Sequence, residues 1–218
     1  MTPRRPVPEP QDGIDSANRR TIGSYERIAR DYAEDTAPDS SGAAEFSGKG
    51  LRRLVDAVPA GGTALEVGSG PGWDADFVES QGVAVRRTEV TAAFIDFQAE
   101  RGKHVEKLDV TSDELGGPYD EVMALGVLQH VDRAQIPALL RRVAAALQPG
   151  GVFLVAIREG VGERWEVGDS GNPYFTVLWG ESAFRTLLGD AGLGVEWSFP
   201  GEDSEENHWL MLLARKES

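Results

Sequence analysis

The sequence predicts an α/β protein built on a doubly wound, mostly parallel sheet. Between residues 63 and 157, short apolar segments alternate with segments of helical periodicity, which is the pattern of successive strand–helix–strand units. A glycine-rich stretch, Glu66-Val67-Gly68-Ser69-Gly70-Pro71-Gly72, follows the first apolar segment and precedes a helical one. Glycines let the backbone approach a ligand closely, and the next helix directs free N–H groups at it. These observations predict a nucleotide-type cofactor site at one edge of the sheet.

The individual elements follow from periodicity and breakers. Apolar spacing predicts an amphipathic helix over residues 21–36 and a second helix from Leu51 to Pro59, after a Ser/Gly-rich connection at 39–50. Strands are expected at 63–67, 83–90, 105–110, 121–127 and 152–157, and helices at 74–80, 92–101 and 133–147. Residues 158–172 are expected to form a loop and 181–190 a helix. Residues 194–199 and 209–215 are expected to close the sheet as a hairpin.

Composition limits the classes of function. A chain of 218 residues suits one domain, here 21–218, while the proline-rich residues 1–20 are expected to be a disordered arm. The net charge of −14 argues against a nucleic-acid binder, although solubility alone also explains acidity. The chain contains no cysteine, no signal-like start and no apolar run of membrane-spanning length. We therefore expect a cytoplasmic protein with a small-molecule substrate, no nucleic-acid or membrane partner, and an oligomeric state left open.

The glycine register separates two classes of cofactor site. A dinucleotide fingerprint G-x-G-x-x-G would place Trp73 at its third glycine, which is far too large. The observed pattern is Glu66-x-Gly68-x-Gly70-x-Gly72, which resembles motif I of the class I S-adenosylmethionine-dependent methyltransferases. The resemblance implies a Rossmann-like seven-stranded sheet with an antiparallel seventh strand. It also implies an N-terminal helical lid at 21–50, a cofactor-binding core at 51–157, and a substrate cap with the C-terminal strands at 158–218.

The resemblance assigns cofactor roles to the ends of four successive strands. The loop backbone would hold the methionine half of S-adenosylmethionine, with an acid receiving its ammonium group. A second acid would accept the ribose hydroxyls, which are neighbouring donors, a third the adenine amine, and the end of strand four would lie along the sulfonium. In strand order, the residues are Glu66, Gly68, Ser69, Gly70 and Gly72; Glu89 and Val90; Asp109 and Val110; Leu125 and Gly126.

His130 is the histidine expected near the chemistry. It could act as a general base toward a hydroxyl or amine, because imidazole titrates near neutral pH. The alternative is a structural histidine bound to backbone or stacked beside the adenine. Many relatives resemble this segment with two histidines; Gln129 replaces the first, so a role for that position is in doubt.

Acceptor-binding residues are expected in the lid and after strand five. Tyr25 and Tyr32 either face the site from the lid or are ordinary packing aromatics. Arg158 either binds an acidic group on the acceptor or pairs with Glu159 or Glu163. An aromatic group, comprising Trp165, Tyr174, Phe175 and Trp179, either walls the acceptor or forms the core of a capping loop.

The sequence therefore predicts an enzyme that transfers a methyl group from S-adenosylmethionine to an oxygen or nitrogen of a small molecule. No grouping has metal-ligand spacing, and no metal site is expected. A non-catalytic S-adenosylmethionine-binding module is the main alternative, and an NAD-dependent oxidoreductase is a weaker one.

Overall fold

The computed structural model describes residues 14–38, 43–59, 61–167, 171–203 and 207–217. The helices in these ranges are α1 Ile14–Asp35, α2 Ala43–Asp56, α3 Trp73–Ser80, α4 Ala92–Glu100, α5 Ile136–Ala146 and α6 Glu181–Asp190. The strands are β1 Thr63–Val67, β2 Ala84–Glu89, β3 Glu106–Lys107, β4 Tyr119–Leu125, β5 Leu147–Arg158, β6 Gly162–Val167, β7 Pro173–Leu178, β8 Leu193–Glu202 and β9 His208–Lys216. A 3-10 turn, Leu128–His130, follows β4. Across these ranges, no helix is both long and apolar enough to cross a bilayer.

Seven strands form one sheet in the order β3-β2-β1-β4-β5-β9-β8. β1 pairs in parallel with both β2 and β4, and β5 extends the parallel part beyond β4. β9 runs antiparallel to both of its neighbours, β5 and β8. This confirms the predicted Rossmann-like, doubly wound sheet with an inserted antiparallel strand. The strand order reverses between β1 and β4, and ligands bind at such a switch point beyond the strand carboxyl ends.

Helices cover both faces of the sheet, which explains why residues 152–157 of β5 are all apolar. Phe153 and Leu154 are both fully buried, yet they belong to different cores. Phe153 packs in the cluster that includes Phe184 of α6, whereas Leu154 packs with Leu54 of α2. Burying each such side chain contributes ~1.5–3 kcal/mol. The strand ends that carry the expected site therefore rest on a rigid, doubly covered platform.

The first helix begins at Ile14, seven residues before the expected start. The prediction of a disordered arm is wrong for residues 14–20, and residues 1–13 lie outside the described ranges. The physical reason is tertiary contact. The Arg20 guanidinium lies 4.4 Å from the centre of the Trp165 ring, and the Thr21 hydroxyl oxygen accepts a 3.0 Å hydrogen bond from the Phe175 N–H.

The second helix also starts earlier than expected. α2 begins at Ala43, inside the segment read as a connection. Phe46 lies 6.1 Å from the Phe199 ring, and the Lys49 amine lies 4.3 Å from that same ring. Packing against β8 therefore stabilises turns that contain two glycines and have weak helix propensity.

The prediction of a loop over residues 158–172 is wrong for residues 162–167, which form β6. β6 pairs antiparallel with β7, placing Trp165 opposite Phe175 and Glu166 opposite Tyr174. β6 shows no apolar–polar alternation in the sequence, because its buried position is occupied by a charged residue, Glu166. Glu166 is 4% exposed and accepts a hydrogen bond from the Thr176 hydroxyl at 2.9 Å.

Glu121 in β4 is a buried carboxyl without a hydrogen-bond partner in the described residues. Burial, with a smaller contribution from the neighbouring Asp120, raises the pKa of Glu121 to about 8. The folded chain therefore keeps this proton to a higher pH than the unfolded chain does. The resulting stability is full below the ordinary carboxyl pKa and is lost as the pH rises through about 8.

We predict that Glu121→Gln stabilises the fold at high pH. At pH 5 the native carboxyl is neutral, so the variant and the unmodified chain should have similar free energies of unfolding. At pH 9 the variant should be more stable by on the order of 2–4 kcal/mol, because it buries no charge. Urea unfolding at both pH values measures this. An equal difference at pH 5 and pH 9 would contradict it, and Glu196→Gln on the exposed surface of β8 serves as the control.

Candidate active site

The glycine loop joins β1 to α3 at the switch point of the sheet. Gly68, Gly70 and Gly72 all have positive φ, at 66°, 52° and 86°, a region that side chains disfavour. A Cβ on Gly68 would lie 2.5 Å from a Val127 methyl carbon, so this turn closes tightly on the segment after β4. A Cβ on Gly70 would meet no described atom within 4 Å. The loop is thus pressed against protein on one side and open at Gly70.

Three side chains hold the loop carbonyl groups. Gln98 donates to the Gly70 carbonyl at 2.9 Å, Arg101 to the Pro71 carbonyl at 2.7 Å, and Arg87 to the Gly72 carbonyl at 3.2 Å. None of these three donors was predicted from the sequence. Arg87 and Gln98 are 3% and 0% exposed, and two polar residues this buried are unusual. These side chains reach the loop through tertiary contacts, which the local sequence pattern does not predict.

Glu66, one residue before the end of β1, is a buried carboxyl, 4% exposed, that accepts a hydrogen bond from the Ser69 hydroxyl. Burial is the main cause that raises the pKa of Glu66 to about 8; the Ser69 bond opposes the rise, and Asp74 and Glu89 add to it. A cation placed here would relieve this cost, because an opposite charge favours the ionised carboxylate. The site therefore fits the ammonium group expected there.

Asp74, in the first turn of α3, lies close enough to Glu66 to raise its pKa, and it was not predicted as a site residue. It is half-buried, and burial raises its pKa to about 6. Acidic residues are common in the first helical turn because of the helix dipole, so its position carried no distinctive signal. Together with Glu89 it gives the cleft a negative field, to which Glu66 adds only when it is ionised.

Glu89 lies at the end of β2, as predicted, and ties the loop to α4. One carboxylate oxygen accepts from the backbone N–H groups of Val90 and Thr91, at 2.8 and 2.9 Å. The other accepts from the Gly70 N–H at 2.8 Å. A carboxylate offers roughly four acceptor positions, so the second oxygen keeps capacity for one further donor, such as a hydroxyl.

Asp109 and Val110 follow β3. One Asp109 oxygen accepts from the N–H and the hydroxyl of Thr111, at 2.8 and 2.6 Å. The Val110 carbonyl accepts from Arg142 at 2.9 Å. These bonds fix the turn and use one of the two Asp109 carboxylate oxygens.

Leu125 and Gly126 end β4, beside the glycine loop. The Gly126 N–H donates to the Ala156 carbonyl at 3.1 Å, and its own carbonyl accepts from the Gln129 amide at 2.6 Å. Gln129 is 3% exposed. The position held by histidine in many relatives therefore contributes a backbone contact here.

His130 has a defined tautomer. Its Nδ1 lies 2.6 Å from the Phe175 carbonyl oxygen, which can only accept, so Nδ1 carries the proton. Its Nε2 is therefore unprotonated and accepts a hydrogen bond from the Tyr25 hydroxyl, 3.1 Å away. Burial lowers the pKa of His130, although the bond to Phe175 opposes this. The imidazole is therefore neutral near pH 7 and presents a basic nitrogen.

Tyr25 and Tyr32 of α1 lie together near the carboxyl group of Glu89. Their ring centres are 5.7 Å apart, and both rings also pack on Phe94 of α4. Tyr32 is 37% exposed, yet desolvation of its hydroxyl raises its pKa to about 12, and Asp74 adds to the rise. Burial likewise raises the pKa of Tyr25 well above its usual value, so both tyrosines keep their hydroxyl protons.

Arg158 occupies neither of its two expected environments. It is 4% exposed and forms two 3.2 Å hydrogen bonds with Glu166 of β6 and one of 2.5 Å with Asn207. Glu163 instead pairs with Arg133 at 2.9 Å. The predicted pairing of Arg158 with Glu159 or Glu163 is wrong, because the unpredicted β6 places Glu166 beside it. This pair anchors the β6–β7 hairpin to β5.

The structure divides the predicted aromatic group. The Tyr174 ring lies 5.8 Å from His130, with Tyr25 on the other side at 5.6 Å. Trp165 packs on Phe175 at 5.6 Å and beneath Arg20. Tyr174 therefore joins the site around His130, whereas Trp165 fastens the hairpin to α1.

A glycine loop at the switch point, followed by acids at successive strand ends, defines the arrangement of a class I S-adenosylmethionine-dependent methyltransferase. A sequence profile described as a methyltransferase domain matches residues 41–198. The chain therefore belongs to this methyltransferase family, with S-adenosylmethionine as its cofactor. This confirms the family and the cofactor predicted from the sequence.

Solved structures support the same fold. The chain is similar to 1,6-didemethyltoxoflavin-N1-methyltransferase from Burkholderia thailandensis, with 21% identity and a TM-score of 0.72 over 98% of this chain and 94% of the other. It is also similar to the N-methyltransferase NodS from Bradyrhizobium japonicum, with 17% identity and a TM-score of 0.72 over 91% and 100% of the two chains. None of the curated proteins compared with the chain matches it.

Proposed function

We propose that this methyltransferase methylates an oxygen or nitrogen atom of a small-molecule acceptor bound beside His130. The observation that carries the proposal is the unprotonated Nε2 of His130, which faces the aromatic surface of Tyr25 and Tyr174 next to the glycine loop. The similar B. thailandensis and B. japonicum structures are of an N1-methyltransferase and an N-methyltransferase, which supports a small acceptor.

The cofactor residues are assigned to the cleft as a proposal. Glu66 would hold the ammonium group and the open side of Gly70 the methionine half. Glu89 would accept a ribose hydroxyl, and Asp109 with Val110 would hold the adenine. Ser69, Gly68, Gly72, Val90, Leu125 and Gly126 complete the set. The buried carboxyl of Glu66 supports this assignment, because Ser69 and Arg87 do not offset the effect of burial on its pKa and a bound cation would favour its ionised form.

S-adenosylmethionine supplies a methyl group made electrophilic by its sulfonium. In the proposed mechanism, His130 takes the proton that the acceptor hydroxyl or amine loses. The Phe175 carbonyl holds the Nδ1–H and keeps Nε2 as the accepting atom. The Tyr25 hydroxyl lies 3.1 Å from Nε2, at the position from which Nε2 would receive a proton. Tyr25, Tyr32 and Tyr174 would exclude water and align the acceptor, and alignment alone contributes much of the rate.

The acceptor is proposed to be neutral or cationic. The cations of the hairpin side are already paired: Arg158 with Glu166, and Arg133 with Glu163. The cleft itself carries Glu66, Asp74 and Glu89. An anionic acceptor would meet a negative field and no unpaired arginine among the described hairpin residues. The cytoplasmic location stays a prediction.

A methyl-transfer screen tests the acceptor class. Small aromatic amines, phenols and aromatic carboxylates are incubated with S-adenosylmethionine, and products are detected by mass spectrometry. We expect products 14 Da heavier among amines or phenols. Methylation confined to carboxylates would contradict the proposed acceptor class. S-adenosylhomocysteine binding with no product from any acceptor would favour the alternative of a non-catalytic binding module.

A further inference from the structure

Three consecutive residues of α1, Ser24, Tyr25 and Glu26, each form hydrogen bonds with a different element. The Ser24 hydroxyl donates to the Pro173 carbonyl at the start of β7 at 2.6 Å. The Tyr25 hydroxyl contacts His130 after β4. The Glu26 carboxylate accepts from the N–H groups of α4. We call residues 24–26 the clasp, because they join the hairpin, the end of β4 and the start of α4 above the cofactor cleft.

The Glu26 contact is an N-terminal helix cap supplied by another helix. Thr91 occupies the N-cap position of α4, but its side chain makes no capping hydrogen bond. Glu26 instead accepts from the N–H groups of Ala92 and Ala93, at 2.7 and 2.8 Å. A helix N-terminus leaves such N–H groups without an internal partner and favours a negative charge. The free end of α4 is therefore an attachment point for α1.

This attachment point is continuous with the proposed ribose site. The two preceding N–H groups, of Val90 and Thr91, are held by Glu89. The other oxygen of Glu89 holds Gly70 of the glycine loop. One hydrogen-bonded path thus runs from Glu26 through the start of α4 and Glu89 to the loop.

A second contact between the same helices is a matched reference. Arg30 of α1 and Glu100 of α4 form a 2.6 Å ion pair whose side chains are 65% and 57% exposed. Exposed pairs of this kind contribute little, because water and salt screen them. The Glu26 contact is exposed as well and joins the same helices, so the difference lies in its partners: only Glu26 satisfies backbone N–H groups at the start of α4.

We propose that Glu26 is a positioning residue that holds α1 closed over the cleft and so sets the lifetime of the bound cofactor product. The inference rests on the proposed cofactor site between α1, α4 and the glycine loop. Release of the product requires α1 to lift, which breaks the two Glu26 bonds. Weakening them speeds opening while the two apolar cores, which contain no residue of α1, stay intact.

Two variants weaken the contact from opposite sides. Glu26→Gln removes the charge and leaves one weaker acceptor. Ala92→Pro removes the Ala92 N–H at the first position of α4, where proline is favoured. Thr91, at φ −81° and ψ 115°, already has the extended conformation that precedes proline. Glu100→Gln is the control, since it breaks the exposed pair between the same two helices.

The experiment measures S-adenosylhomocysteine dissociation by stopped-flow displacement, with the melting temperature recorded for each variant. Loss of a cap changes an equilibrium by about 2- to 30-fold, so Glu26→Gln should speed dissociation about tenfold and Ala92→Pro about threefold. The double variant should be no faster than Glu26→Gln alone, and Glu100→Gln should change the rate less than twofold. Melting temperatures should stay within about 2 °C of the unmodified chain.

A dissociation rate for Glu26→Gln within twofold of the unmodified chain, or equal to that of Glu100→Gln, would overturn the proposal. A faster rate accompanied by a matching fall in melting temperature would also overturn it, by showing a general structural role. If the unmodified chain binds no S-adenosylhomocysteine, the proposed cofactor site fails and this inference fails with it. Failure of the cofactor site is distinguishable from failure of the Glu26 proposal, because it is seen with the unmodified chain, before any variant is made.

Discussion

Replacing His130 with alanine is expected to lower the turnover of methyl transfer by about 100-fold, the contribution typical of a positioned general base. The expectation follows from geometry. The Phe175 carbonyl fixes the proton on Nδ1, and burial lowers the pKa of the imidazole, so Nε2 is free to take a proton at neutral pH. The rate should therefore fall as the pH drops through the lowered pKa of His130, below its ordinary value of about 6.5.

His130→Asn separates proton transfer from positioning. Its side-chain amide can still donate to the Phe175 carbonyl, but it offers no basic nitrogen. Turnover by the asparagine variant should be as low as that of the alanine variant, and the acidic limb of the pH profile should disappear in both. A loss of only a few-fold in either, or recovery in the asparagine variant, would leave His130 a structural residue.

The second large effect is expected at Glu89. Glu89→Gln should weaken S-adenosylhomocysteine binding by about 10- to 100-fold, as for loss of a charge-assisted hydrogen bond of ~1.5–3 kcal/mol. The loss has two sources. A carboxylate acceptor for the ribose disappears, and an amide N–H2 group faces backbone donors that the carboxylate now satisfies. Calorimetric titration of each variant measures the change.

Asp109→Ala isolates the direct contribution at the neighbouring strand end. It removes the proposed adenine acceptor but leaves the Glu89 bonds to the glycine loop in place. Its affinity should also fall, by a smaller factor. Glu196→Gln, which removes the same charge from the exposed surface of β8, should leave affinity unchanged. Unchanged affinity in both Glu89→Gln and Asp109→Ala would overturn the site assignment.

The parts of the site carried by backbone and strand ends were predictable from the sequence. β1 is predicted with its observed bounds, because a short apolar run between breakers has few other readings. Glu66, Glu89 and Asp109 then follow from one topological rule, since parallel strands bring their carboxyl ends to one edge. For β1 and these three acids, the local sequence pattern and the sheet topology lead to the same prediction.

Features made by tertiary contacts were not predictable. β6 carries Glu166 on its buried side, so no apolar alternation marks it, and its partner Arg158 lies in another strand. Gln98 and Arg87 contact the loop from elements distant in sequence, and nothing in their spacing distinguishes them from surface residues. Arg87, Gln98 and Glu166 are buried where the fold supplies hydrogen-bond partners, which a single sequence does not show.

The most direct test of the central claim is calorimetric titration of the unmodified chain with S-adenosylhomocysteine, with NAD as the parallel control. The account predicts micromolar binding of S-adenosylhomocysteine, because the cleft combines a buried carboxyl, whose pKa burial raises to about 8, with a glycine loop open at Gly70. It predicts no binding of NAD, because Trp73 stands where a dinucleotide loop needs its third glycine. Binding of NAD, or of neither ligand, would contradict the account.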